Sequence, residues 1–558
     1  MKMQYTERNR MDAKYLICFW SIWLVQMALS FYFCTQKMGF HEDEYYTYYS
    51  TARTNGFYVN DGQWLDREQY ENEFVVLPDQ RFQYGFVKLV QSWDVHPPMY
   101  YWVFHTVASL VPNVFSKWIG LSVNLFFHGI NIILLCWLAY VTGGRDRKLA
   151  LFVTLFFGLG PAAMSGVVFI RMYEMLTTFV LLCAILHVRV VEERGNGGNA
   201  KLPVRTFLVP MMAVTYIGFL THYYYFIFLF YLALAFVIWL LWRDRHIRNC
   251  VRYAVSQGAA FVLAVLTYPS CLGQMFRGQR GAQATKNFFD LSNTIERIRF
   301  FGDLMDRYVF GKSLLALLAV VLLLAVIAKR GAEKRAGYLI LLFAGVGYFL
   351  TVSKTALLLG ETSNRYQLPV YGVIVLLVFA AVRGLWHQIL QADGKSLSGA
   401  AGTLHKIRSA LCARRRIYAE SCLALICLAV CLFGAWREEV VFLYPEDRGQ
   451  TAFAQECAEK DIPVIYIYQT GEEWCVWAVT NELLEYPQVY FAAADSAESI
   501  LEERIRNAGS LVVYLASGAD ERKNLQRVLD GAPALADCQW KRVFEEKYCN
   551  VYYLQGEP

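Results

Sequence analysis

FLVPMMAVTYIGFLTHYYYFIFLFYLALAFVIWLLW, residues 207–242, runs for 36 positions without one Asp, Glu, Lys or Arg. A helix needs about 20 apolar residues to cross the hydrocarbon of a bilayer. This run is therefore long enough to cross twice, with a break at Thr221-His222. Working outward, comparable runs fall near 15–36, 117–142, 149–167, 172–190, 204–221, 222–242, 253–272, 313–328, 336–357, 366–386 and 417–437, which gives an expectation of eleven spans. Composition agrees. The 558 residues are 56% hydrophobic and 18% charged, against about 25% charged in a soluble protein. A net charge of +6 spread over such a chain gives no reason to expect a nucleic-acid partner; the bilayer is the expected one.

The first run follows Lys2, Arg8, Arg10 and Lys14 as a signal peptide would, but Met27-Ala28-Leu29-Ser30-Phe31 has no clean small-x-small cleavage site. It reads as an uncleaved first span. Arg145/Arg147/Lys148, Arg189 to Arg205, Arg243 to Arg252, Lys329 to Arg335 and Arg383 to Arg416 fall on one side, which the positive-inside rule makes cytoplasmic together with residues 1–14. Residues 42–98 carry ten acidic and four basic side chains and belong outside. A crossing at Pro98 to Val111 would invert every later loop, so this aromatic segment reads as a helix in the outer interface.

The expected organisation is thus a helical polytopic membrane domain over 15–437 with an outer loop at 37–116, followed by a soluble extracytoplasmic domain over 438–558. In the latter, strand-like runs Ile462 to Tyr468, Val489 to Ala492, Leu511 to Ala516 and Asn550 to Leu554 alternate with helix-like Ser496 to Ala508 and Asp520 to Leu529, the pattern of a small α/β domain. Its Cys457, Cys475, Cys538 and Cys549 suit either disulfides in an oxidising compartment or buried thiols. No internal repeat, P-loop or dinucleotide fingerprint is present.

Chemistry concentrates at the outer ends of the spans. His41-Glu42-Asp43-Glu44 places three carboxylates in a row at a membrane boundary, where mutual repulsion and desolvation are costly and a site or a cation is the usual reason. A solvated loop start is the plain alternative. Asp94 and His96 precede the rigid Pro97-Pro98 entry to the interfacial helix. Arg365 and Tyr366 lie in Glu361-Thr362-Ser363-Asn364-Arg365-Tyr366-Gln367, and the planar fork of arginine suits phosphate oxygens, although a snorkelling arginine would look the same. The segment 273–312 holds seven basic residues, Arg277 and Lys286 among them, against four acids. A net-positive outer loop suits an anionic lipid headgroup. Arg171 and Tyr173 (in IRMYE) and His222 (in THYY) mark two further span ends; a lone histidine there is more often packed than ligating.

In order, an Asp-Glu pair after the first helix, HPPMYYW, RMYEML, LTHYYYF and NRYQLP resemble the GT-C class of membrane glycosyltransferases. The branch is the one grouping glycosyltransferase family 39, protein O-mannosyltransferases and the aminoarabinose transferase of lipid A. The resemblance covers about residues 15–390. It implies a GT-C-like fold and an inverting enzyme that passes a sugar from a polyprenyl-phosphate carrier to an acceptor (glycan, lipid or protein) on the outer face. Asp43 would be the base, Glu44 would orient acceptor or sugar, and Arg365 and Tyr366 would hold the carrier phosphate, assisted by basic residues of 273–312. Asp94 and His96 would contact acceptor or sugar, and Arg171, Tyr173 and His222 would complete the binding surface. No cofactor is certain. Some relatives bind a divalent metal near this loop, for which His41, Glu42, Asp94 and His96 are possible ligands without diagnostic spacing. Glu42 stands ahead of the pair, departing from the family pattern, and rivals Asp43 as base. A multi-pass transporter or a surface binding protein for an anionic lipid or glycan are the alternatives.

Overall fold

The computed structural model describes residues 2–52, 59–194, 201–245, 247–327, 335–396, 420–496, 502–536, 538 and 540–556. The basic links at 329–334 and 397–416, and the start of the helix expected at 496–508, lie outside them. The chain is a multi-pass helical membrane protein with a small sheet-bearing C-terminal lobe. It forms two compact units: one of Met1–Thr35, Asp94–Tyr100 and Leu121–Val441, the other of Gln36–Trp93, Tyr101–Gly120 and Phe442–Pro558.

Among the described residues of the membrane unit, eight helices are long and apolar enough to span, or ten if each of two bent pairs counts as one span. The eleventh expected span, 417–437, is a shorter apolar helix, Glu420–Ala435. The bends have local causes. Arg147–Gly158 and Pro161–Val168 meet at 62°, where Gly160 caps and Pro161 supplies no N–H to continue the first helix. Thr294–Phe310 and Leu314–Ile327 meet at 86° across Gly311 and Lys312, both in the left-handed region (φ 58° and 64°). A side chain at Gly311 would collide with Cys431 O, 2.2 Å from an ideal Cβ. The spans are tied by buried amides, as expected where water is absent. Gln26 Nε2 donates to Thr154 O (2.8 Å), Asn131 Nδ2 to Glu174 Oε2 (2.8 Å) and Thr178 Oγ1 to Asn131 Oδ1 (2.6 Å). The interfacial segment is the helix Met99–Leu110. Its 12 residues rise about 18 Å, short of the roughly 30 Å hydrocarbon core.

The second unit joins the outer loop to the C-terminal lobe in one sheet. Strands β1 (Gln63–Asp66), β2 (Val464–Tyr468), β3 (Gln488–Ala493), β4 (Ser510–Ala516), β5 (Lys541–Glu545) and β6 (Cys549–Gln555) lie in the order β1-β3-β2-β4-β6-β5. β2 is parallel to β3 and β4, and all five of its residues are buried, as a central strand covered on both faces requires. β1, which the sequence reading left in the loop, pairs antiparallel with β3 from Gln63↔Phe491 to Asp66↔Gln488. The C-terminal lobe is therefore not simply appended after residue 437. Cys457, Cys475 and Cys549 are buried free thiols, and Cys538 Sγ donates to Gln555 O at 2.9 Å.

Candidate functional site

In the membrane unit, four separated segments bring their polar residues together. The turn carrying Arg365 is fixed first. Ser363 Oγ accepts from Leu359 N (2.6 Å) and donates to Leu357 O (3.0 Å), Tyr348 Oη donates to Tyr366 O (3.0 Å), and Gln367 Nε2 donates to Phe349 O (3.0 Å). On this turn Arg365 is 3% exposed. Its guanidinium carbon lies 5.3 Å from the ring centre of Phe169 and 5.0 Å from that of Tyr366, and Nη2 reaches Tyr366 Oη at 3.2 Å. Each ring face adds a cation–π attraction to the guanidinium.

The wall continues through Tyr173, whose ring is 5.9 Å from Phe169, 6.1 Å from Tyr366 and 5.7 Å from His222. His222 lies 5.8 Å from His96. Arg171 Nη2 stands 3.4 Å and 3.5 Å from the two ring nitrogens of His96. Arg171 Nη2 is thus nearly equidistant from both ring nitrogens. His96 Nδ1 in turn meets Asp94 Oδ2 at 3.2 Å. Crowding works against ionisation of Asp94, but the hydrogen bond with His96, that imidazole's charge and Arg171 outweigh it and hold the carboxyl below its usual range. Arg365, Tyr366, Arg171, Tyr173, His222, His96 and Asp94 thus form one contiguous cluster.

Arg277 and Lys286 do not join it; both are exposed on short helices after the span Ile247–Thr267. Another basic residue of that segment, Arg297, is buried and structural, donating Nε to Ser353 O at 3.0 Å. The sequence reading missed Phe169, the aromatic face under Arg365. It also missed Gln274, which donates Nε2 to Asp94 O (2.6 Å) and Tyr268 Oη (2.9 Å) and accepts from Tyr223 Oη. An isolated Phe or Gln carries no signal until its neighbours are known.

The other unit begins at Gln36, the last residue of α1 (Lys2–Gln36), and the first turn of its helix α2 (Glu42–Ala52) holds the three carboxylates. The positive end of a helix dipole favours acids there, and the structure then separates their roles. Glu44 is fully buried. Its Oε2 accepts from Lys37 Nζ (2.9 Å) and His41 N (2.6 Å), half of a capping box. Glu44 therefore holds the start of α2. Glu42 Oε1 accepts from Lys547 Nζ (2.6 Å) and Tyr548 Oη (3.1 Å). Burial raises its pKa, but His41 and Lys547 outweigh this and bring it below the usual value. Asp43 keeps 32% of its side chain exposed. His41 Nδ1 accepts the Asp43 N–H at 3.1 Å and lies 3.6 Å from Asp43 Oδ2, while Nε2 faces Glu42 Oε2 at 3.5 Å. Among the described residues, no group of three or more His, Cys, Asp or Glu side chains has the geometry to hold a metal ion.

The same unit buries a second set of acids. Burial, followed by repulsion from Glu446, pushes Asp447 up to about 7. Burial, with Asp447 and Glu446 beside it, pushes Glu546 up to about 7. Unfolded, both would release their protons at about pH 4, as ordinary carboxyls do. The folded state therefore binds more protons between about pH 4 and 7, and stability falls as pH rises through that window. Thermal unfolding of the purified protein should have its higher midpoint at pH 5.5 rather than 7.5, and Asp447→Asn should flatten the difference. The lowered Glu42 and Asp94 act oppositely, but only below about pH 4.

No family model and no curated protein matches the chain. Among solved structures it is similar to ArnT from Cupriavidus metallidurans bound to undecaprenyl phosphate, at 14% identity and TM-score 0.49 over 97% of this chain and 98% of that one. It is also similar to the archaeal oligosaccharyltransferase AglB from Archaeoglobus fulgidus, in complex with an inhibitory peptide and a dolichol-phosphate (11%, TM-score 0.43, 92% and 71%). A third is the arabinofuranosyltransferase AftD from Mycobacteria (14%, TM-score 0.43, 96% and 40%). All three scores fall below 0.5.

Proposed function

We propose that the chain is a GT-C-like membrane glycosyltransferase that moves a sugar from a polyprenyl-phosphate carrier to an acceptor hydroxyl on the outer face. The observation that carries the reading is the buried Arg365, stacked on Phe169 and Tyr366 in one cluster with Arg171. A fixed guanidinium in a low-dielectric wall suits an anion whose charge grows during reaction. In the proposed step the acceptor oxygen attacks the anomeric carbon and the bond from that carbon to the phosphate oxygen breaks. Asp43 takes the acceptor proton, and the carrier leaves as polyprenyl phosphate. One displacement inverts the anomeric centre. Phosphate is a good leaving group, so a base at the nucleophile is the main demand on the protein. Asp43, 32% exposed, is the more accessible of the two; Glu42 is 21% exposed and accepts from Lys547 and Tyr548.

The test is release of polyprenyl phosphate from a panel of polyprenyl-phosphate sugars by membranes carrying the chain, with cell-envelope extract as acceptor. Turnover of one donor is expected, and that donor names the sugar. A folded chain that turns over none of them would overturn the reading in favour of transport or binding.

A further inference from the structure

The carboxylate next to Asp43 in sequence is gripped from 505 positions away. The β5–β6 hairpin tip is itself fixed: Glu546 N donates to Cys549 O and Ser517 N donates to Tyr548 O, both at 2.8 Å. The Tyr548 ring packs edge-on against Trp474 at 5.0 Å. From this tip Lys547 and Tyr548 converge on one oxygen of Glu42. The other oxygen faces His41, which accepts the Asp43 N–H. Further along α2, Tyr46 and Tyr49 pack against Trp477 at 4.4 and 5.0 Å, and Tyr70 Oη shares a hydrogen bond with Thr480 at 2.9 Å. The helix that carries Asp43 thus has the C-terminal lobe as its bed.

We propose that Lys547 and Tyr548 are positioning residues that hold the first turn of α2 through Glu42 and so aim Asp43, making the C-terminal lobe a working part of the enzyme. This rests on the reading of Asp43 as base. Two donors on one carboxylate oxygen constrain its position, whereas a single exposed ion pair would leave the long lysine free to swing. Small displacements of a catalytic group cost rate far more than they cost substrate binding. Lys547→Met should therefore lower kcat about tenfold and leave the donor KM within about twofold. Lys547→Arg should retain most of the activity. Glu42→Gln combined with Lys547→Met should be no worse than the poorer single variant, because both remove the same contact.

The experiment measures kcat and KM of these variants and of Tyr548→Phe beside wild type and Asp43→Asn. Hydrogen exchange of peptides covering 41–52 is read in the same preparations. Faster exchange there in Lys547→Met and Tyr548→Phe, with the melting midpoint kept, is the expected accompaniment. Wild-type kcat and wild-type exchange in Lys547→Met, or losses that multiply in the double variant, would overturn the proposal. If wild type turns over a donor and Asp43→Asn does not while Lys547→Met behaves as wild type, only the clamp falls. If wild type turns over no donor, exchange at 41–52 still decides whether the clamp exists.

Discussion

Asp43→Asn should reduce sugar transfer by about 10²- to 10⁴-fold, the range a positioned general base supplies, while the protein folds and the donor still binds. Asparagine keeps the size and polarity of the side chain and removes only its charge and basicity. Loss of one acid from the first turn of a helix costs about 0.3–1 kcal/mol, too little to unfold the chain. Glu42→Gln tests the rival base. Its carboxylate is engaged by two donors from the last hairpin, so its loss should cost about the tenfold expected of a positioning contact. Glu44 offers no surface to a substrate and cannot take over. Equal turnover by wild type and Asp43→Asn would remove Asp43 from the reaction and leave Glu42 as the remaining candidate. The assay is polyprenyl phosphate release with the donor that responds.

Much of this was legible in the sequence because a bilayer imposes it. Uncharged runs mark spans since a charge in hydrocarbon is costly, and the expected limits at 117–142 and 204–221 coincide with those of the candidate spans. Polar residues at span ends had to have a reason, which is why Asp94, His96, Arg171, Tyr173, His222, Arg365 and Tyr366 could be named before their contacts were known. What the sequence hid is contact across long separations. β1 is four residues of unremarkable loop until β3 pairs with it. Glu44 and Asp43 look alike as neighbours in a row of acids, yet one turn of helix geometry buries the first against Lys37 and leaves the second partly exposed. The bent pairs escaped a hydropathy reading because a 62° break leaves the apolar run intact.

Lys37→Met should be the most destabilising single change in the second unit. Lys37 and Glu44 are both fully buried at 2.9 Å, and the ammonium also donates to Phe442 O at 2.7 Å. The rings of Phe40 and Tyr444 lie 5.5 and 5.4 Å from it. Removing one partner of a buried pair strands the other charge, at a cost of about 3–5 kcal/mol. The Lys547–Glu42 pair, with Lys547 59% exposed, belongs to a class worth about 0–1 kcal/mol in stability. The two lysines therefore separate by readout: Lys547→Met should show in kcat at an unchanged melting midpoint, and Lys37→Met in the midpoint itself. Because the penalty comes from the stranded carboxylate, Lys37→Met combined with Glu44→Gln should recover much of the loss; glutamine can still accept the His41 N–H that caps α2. Thermal unfolding of the four proteins closes the cycle. Additive losses in the double variant would mean the pair is not held as a unit, and that Glu44 has another way to lose its charge.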